Sequence, residues 1–186
     1  MFLRKSRIEP LPVTMSAVRR GERVLQVGLD DPALAATLAG KAGLSGSAVI
    51  VVTDEAAAER ARRAAVNGGV LADVRVSVLT TLPCEPAAFD IVIAHNVGGL
   101  VSSLDPPARL AAMREWHRAL RPGGRVMAIE AAADTGGLKS LLRKPAVDET
   151  AVAGGGTVGA LEAAGFRPVR MLAEREGYRF IEGIKT

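Results

Sequence analysis

The sequence is poor in the residues on which nucleophilic and metal chemistry depends. Cys84 is the only cysteine, so no intrachain disulfide can form and no cysteine-based metal cluster can be built within one chain. Packing is its expected role. Two histidines, His95 and His117, leave little from which to assemble a catalytic triad or a zinc centre, and no metal site is expected. Aromatic residues make up 3% of the chain, too few for the stacking platforms that hold single strands, so nucleic acid is a poor candidate partner. No apolar run reaches the roughly 18 residues that a bilayer-spanning helix needs. The N-terminal stretch MFLRKSR lacks the apolar centre of a secretion signal. These absences lead to the expectation of a soluble, cytoplasmic protein with no transmembrane segment.

What is present suits one ordinary hydrophobic core. A chain of 186 residues with 48% hydrophobic content is long enough for a single domain and short for two. Charge is unevenly placed. Residues 1–25 carry Arg4, Lys5, Arg7, Arg19, Arg20 and Arg23 against Glu9 and Glu22, so the whole formal net charge of +4 resides there. Residues 1–20 are therefore read as a basic, solvated leader and residues 21–186 as the domain; a basic segment of this kind could also meet an acidic partner. The pattern specifies no oligomeric state.

From residue 23 onward, short β-branched runs alternate with Ala-rich stretches, the signature of βαβ units and a parallel sheet. Arg23–Gly28 (RVLQVG) is a first buried strand, followed by Asp31 as a helix N-cap, Pro32 at the first helical position and a helix to Lys41. Ala48–Thr53 (AVIVVT) has the continuous apolar character of a central strand covered on both faces. Glu55–Ala65 is a helix broken by Asn67-Gly-Gly69, and Val74–Leu79 and Phe89–Ala94 are the next strands. After Pro106-Pro107, Leu110, Met113, Trp116 and Leu120 recur at helical spacing and predict an apolar stripe facing the sheet. A turn at Pro122-Gly-Gly124 leads into a strand over Arg125–Ala131, a helix over Ala160–Ala164, and a closing hairpin of Phe166–Ala173 and Tyr178–Ile184. Residues 134–157, with Gly-Gly at 136–137 and Gly-Gly-Gly at 154–156, form a long connection, read either as a lid or binding loop or as disordered.

Four of these segments resemble the class I S-adenosylmethionine-dependent methyltransferases, especially the small-molecule type. GERVLQVG at 21–28 looks like the family's first motif, VIVVTDE at 49–55 like its second strand with an acidic end, and FDIVIAHN at 89–96 like its fourth strand. ALRPGGRVMAIE at 119–130 resembles its fifth strand and is the most specific of the four. The terminal AAGFRPVRML resembles the family's last helix and strand. The resemblance implies a Rossmann-like α/β fold: a doubly wound, mostly parallel seven-stranded sheet with a C-terminal antiparallel hairpin and helices on both faces. It also implies S-adenosylmethionine as cofactor and a small-molecule substrate. In such a sheet ligands bind outside the carboxyl ends of the strands, where the strand order reverses.

On that basis the residues expected to bind cofactor are Gly28, Leu29, Asp30, Asp54, Glu55, Thr81, Leu82 and His95. By the resemblance Gly28 would let backbone approach the methionyl part and Asp54 would accept from the ribose hydroxyls, while Glu55 and Thr80–Leu82 would flank the adenine. His95, at a strand end, is the one catalytic candidate, as a general base. The chain also departs from the family. Leu29-Asp30-Asp31-Pro32 stands where the family continues with glycines, Gln26 where it usually has an acid, and Val78–Leu82 lacks its frequent aspartate. Methyl transfer to a small or lipid-like molecule is thus one reading, and a non-catalytic methyltransferase-like binding or assembly protein is the alternative. A nicotinamide-dependent oxidoreductase is disfavoured, because Gly28 is all that remains of the Gly-x-Gly-x-x-Gly fingerprint.

Overall fold

The central apolar runs become strands buried on both faces, covered by the Ala-rich stretches between them as helices, while the edge strands Asp73–Val76 and Val169–Arg175 stay largely exposed. The computed structural model describes residues 9–132 and 156–186. In chain order the elements are α1 (Leu11–Ser16), β1 (Arg23–Val27), α2 (Pro32–Ala42), β2 (Ser47–Val52), α3 (Glu55–Asn67), β3 (Asp73–Val76), β4 (Phe89–Asn96), α4 (Pro106–Ala119), β5 (Leu120–Ala131), α5 (Gly156–Ala163), β6 (Val169–Arg175) and β7 (Tyr178–Ile184). The first eight residues and nearly all of the expected connection 134–157 lie outside the described residues. No described helix is long and apolar enough to cross a membrane.

The seven strands form one sheet in the order β3-β2-β1-β4-β5-β7-β6. Strands β3 to β5 run parallel, while β7 is antiparallel to β5 and β6 antiparallel to β7. This is the doubly wound sheet with an antiparallel C-terminal hairpin that the sequence predicts. The order reverses between β1 and β4, which are direct neighbours.

The period of two along each strand sorts side chains between two layers. Leu25, Val27, Val92, Ala94, Val126 and Ala128 face α4 and α5, where Met113, Trp116 and Leu161 fill the layer. Val24, Ile91, Ile93, Met127 and Ile129 face the other way, against Val13 of α1 and Leu38 of α2. The predicted stripe of α4 is thus core: Met113 and Trp116 are 0% and 1% exposed.

Several boundaries move. Strand β4 runs two residues beyond the expected Ala94, to Asn96, because His95 and Asn96 still pair with Ile129 and Glu130 of β5. Strand β3 stops at Val76, short of the expected Leu79. Phe166 is not in the hairpin but in the turn before it, fully buried in the α4 layer. Within the expected leader, residues 11–16 form a helix whose Val13 is buried, and the carbonyl of Ala17 accepts from Arg125 Nη2 at 2.8 Å. Arg125 also pairs with Glu22 at 2.7 Å. Basic composition hid this helix, whose anchoring partner lies on β5.

Removing a large buried ring leaves a cavity as well as lost transfer energy. Phe166→Ala is expected to destabilise the fold by about 3–5 kcal/mol, read from urea unfolding followed by the fluorescence of Trp116, the single tryptophan. A loss below about 1 kcal/mol contradicts its placement in the core.

Candidate functional site

The junction of β1 and β4 at their carboxyl ends is shaped first by a glycine. Gly28 follows β1 with φ +84°, a left-handed conformation that side chains rarely adopt. A Cβ there would lie 2.7 Å from Leu100 Cδ2 and 2.8 Å from the carbonyl oxygen of His95. The missing side chain therefore lets the end of β1 press against the end of β4. Leu29 turns away and packs, half-buried, against the layer of Ile50 and Ala35.

Asp30 crosses this junction. Its Oδ2 accepts from the Val97 N–H at 2.7 Å and its Oδ1 from the Gly98 N–H at 2.9 Å. One exposed carboxylate thereby fastens the β1–α2 loop to the β4–α4 loop. Asp31 does the neighbouring task predicted for it, capping α2 by accepting from the N–H groups of Ala33 and Leu34.

Beneath this clasp lies a buried polar pair. Gln26 is fully buried on the α2 face; its Nε2 donates to the carbonyl of Ala35 at 2.8 Å, and its Oε1 lies 2.8 Å from His95 Nε2. Because the amide must present its oxygen to the ring, His95 donates from Nε2 and its Nδ1 carries no proton. Burial holds His95 down to about 4, against the partial opposition of the Asp30 and Asp31 charges. It is a neutral imidazole at physiological pH.

On the opposite face the sequence reading missed a second polar cluster. Asn96 and Glu130 are register partners at the ends of β4 and β5. Asn96 Nδ2 donates to Glu130 Oε1 at 2.9 Å and to Ser102 Oγ at 3.0 Å, while its Oδ1 accepts from the Val101 N–H at 2.7 Å. Thr157 Oγ1 also donates to Glu130 Oε1, at 2.5 Å. The available signal was the position of both residues at the carboxyl ends of neighbouring strands, obscured by ending β4 too early.

The remaining expected residues follow β2 and β3 along the same edge. Asp54 caps α3, its Oδ1 accepting from the Ala57 N–H at 2.8 Å. Exposed Glu55 pairs with Arg62 at 3.2 Å. Thr81 is exposed, and its carbonyl accepts from Ser77 Oγ. The side chain of Leu82 is in the core, its N–H donates to Glu115 and its carbonyl accepts from Arg118. Gly28, Asp30 and His95 thus meet where β1 and β4 end, Gly28 and His95 buried and Asp30 exposed above them, while Asp54, Glu55 and Thr81 follow β2 and β3 and Leu82 serves the scaffold. Among the described residues no group of His, Cys, Asp and Glu could hold a metal ion.

The cofactor that the family resemblance implies places a chemical demand on these groups. A zwitterionic amino-acid group needs an anion for its ammonium and donors for its carboxylate, and the junction holds both in Asp30 and the Val97 and Gly98 N–H groups. The residues present fit that chemistry.

The depressed value of His95 has a thermodynamic consequence. The unfolded chain takes up a proton near pH 6.5 and the folded chain only near pH 4, so stability is full above the unfolded value and falls as pH drops between the two. Between pH 7.5 and 5, where carboxylates still remain charged, the loss from His95 amounts to about 2 kcal/mol. Urea unfolding at the two pH values in a His117→Gln background is expected to show this drop, and His95→Gln to flatten it. An unchanged slope in the double variant contradicts the buried neutral imidazole.

Residues 25–128, more than half of the chain, match the family model described as a methyltransferase domain. No match was found among curated proteins. Solved structures are similar in fold. A SAM-dependent methyltransferase from Aquifex aeolicus aligns with TM-score 0.68 and 19% identity over 94% of this chain and 88% of that one. One from Methanosarcina mazei aligns with TM-score 0.64 and 18% identity over 96% and 99%. The S-adenosylmethionine-dependent methyltransferase SibL, in its apo form, reaches TM-score 0.67 and 24% identity over 94% of this chain and 54% of its own. With its sheet order and this match over residues 25–128, the chain belongs to the methyltransferase-domain family.

Proposed function

We propose that the chain transfers a methyl group from S-adenosylmethionine, the cofactor its family implies, to a small or lipid-like molecule. The observation that carries this reading is the match of residues 25–128 to a methyltransferase domain, supported by the carboxyl edge of β1 and β4, where the Asp30 carboxylate is fastened to the Val97 and Gly98 N–H groups. The cofactor supplies a methyl group already activated on a sulfonium, so the protein is left to orient the partners, exclude water and provide a fitted field. A catalytic triad is not required.

In this reading the backbone at Gly28 and the Asp30 carboxylate hold the methionyl end, above the buried Gln26–His95 pair and with the Leu29 side chain packed away from it, and Asp54, Glu55 and Thr81 hold the adenosyl end. One oxygen of Asp54 caps α3, and its other oxygen is the acceptor for ribose hydroxyls. Leu82 acts by fixing the loop that carries Thr81, since Glu115 and Arg118 hold its backbone. His95 is a poor proton store at neutral pH, being held at about 4, so its part is to orient through an unprotonated nitrogen. A small acceptor is favoured over a nucleobase. His95-Asn96-Val97-Gly98 is unlike the Asn/Asp-Pro-Pro-aromatic motif of nucleobase amino methylation, and the amide of Asn96, 4% exposed, is spent on its own loop and on Glu130. A cytoplasmic location is part of the proposal.

A second reading, a non-catalytic binding or assembly protein, is favoured by the commitment of Gln26 and Asp30 to partners within the chain. One titration separates the two. A ligand bound only to the native state at about one hundred times its Kd adds about 2.7 kcal/mol, or roughly 5–10 °C in Tm for a domain of this size. S-adenosylhomocysteine is expected to produce such a shift. No shift at millimolar ligand, with no heat on calorimetric titration, leaves the non-catalytic reading standing.

A further inference from the structure

We infer that the turns after α2 and α3, at the amino edge of the sheet, form a docking surface for an anionic lipid bilayer, with Leu44 and Leu71 inserting among its acyl chains. This surface borders the starts of β2 and β3, at the opposite end of the strands from Gly28 and Asp30, and the inference stands independently of any cofactor.

Folding normally buries leucine, yet Leu44 is 99% exposed and Leu71 is 85% exposed. Each stands in a glycine-containing turn, Gly43-Leu44-Ser45-Gly46 and Gly68-Gly69-Val70-Leu71. The two side chains are neighbours, since both border one cavity of about 700 Å³ whose walls include Ala39, Ala42, Ala48 and Val70. Scattered apolar residues on a surface need no explanation. Two protruding leucines over an apolar hollow form a patch, and such patches mark interaction sites.

Charge identifies what covers the patch. The acids at this end already have basic partners, Asp73 with Arg75 and Glu9 with Lys41. Two of the arginines lack acidic ones. Arg20 lies against Gly43, where an added Cβ would be 3.1 Å from its Cγ. Arg60 borders a second cavity of about 780 Å³, which shares Gly40, Gly68 and Val70 with the first. Both arginines are exposed, and among the described residues neither pairs with a carboxylate. The partner must therefore offer negative charge beside an apolar interior. A second copy of the chain brings the same arginines and is repelled. A folded acidic protein needs hollows matched to both leucines, whereas a bilayer admits protruding aliphatic side chains without a matched shape and sets its headgroups against the arginines.

The test is sedimentation of the full chain with vesicles of equal parts phosphatidylcholine and phosphatidylglycerol, and with vesicles of phosphatidylcholine alone. Binding to the mixed vesicles is expected to exceed binding to the neutral ones by at least about fivefold and to weaken as salt is added. Leu44→Ser and Leu71→Ser are each expected to weaken it by about tenfold, and Arg20→Gln or Arg60→Gln by about fivefold. All four side chains are exposed, so each variant is expected to melt cooperatively, as the parent does. Failure to sediment with the mixed vesicles overturns the inference. So does unchanged binding when both leucines are replaced together, which assigns the contact to basic residues elsewhere in the chain. A dimer in sedimentation velocity that the double replacement dissolves, with no vesicle binding, overturns it too and makes the patch an interface between copies.

Discussion

At the centre of the sheet the end of β1 must touch the end of β4, and the shape of their junction follows from how closely they come. Gly28 sets that distance. Its absent side chain leaves room for the His95 carbonyl and Leu100, and its positive φ turns the chain into α2 at once. Any larger residue there would separate the two strands or strain the turn. The Asp30 clasp, the Gln26–His95 pair and the direction of the 97–105 loop all depend on this contact.

Two polar clusters then flank the junction, one on each face of the sheet, and the strand period decides which residue joins which. Gln26 and His95 point to the α2 side, Asn96 and Glu130 to the α4 and α5 side. Buried groups of this kind are tolerated because they are hydrogen-bonded, and a satisfied network also fixes the geometry around it. The 97–105 loop is held from both sides, through Asn96 from below and Asp30 from across the junction.

Most of the architecture was legible because it depends on short-range patterns. The proline-led helices, with Asp31 capping the first, are where the sequence places them, as are the stripe of Met113 and Trp116 and the final strand Tyr178–Ile184. The carboxyl edge was legible in part. Gly28, Asp30, Asp54 and His95 lie along the expected edge, but composition alone could not say that Leu82 is core or that Asp54 caps a helix with one of its oxygens. Helix α1 was hidden for a related reason. Its six residues carry little periodicity, and its support comes from Glu22 and Arg125, the latter more than a hundred positions along the chain.

The sequence by itself determined the alternation of strands and helices, the apolar stripe of α4 and the family to which the chain belongs. Only the tertiary structure decided who meets whom: Asp30 with Val97 and Gly98, Gln26 with His95, Asn96 with Glu130. Periodicity and caps are properties of residues a few positions apart, which local sterics and burial can specify. Partners separated by 67 to 69 positions across the β1–β4 boundary are set by strand order and by the close approach that Gly28 allows.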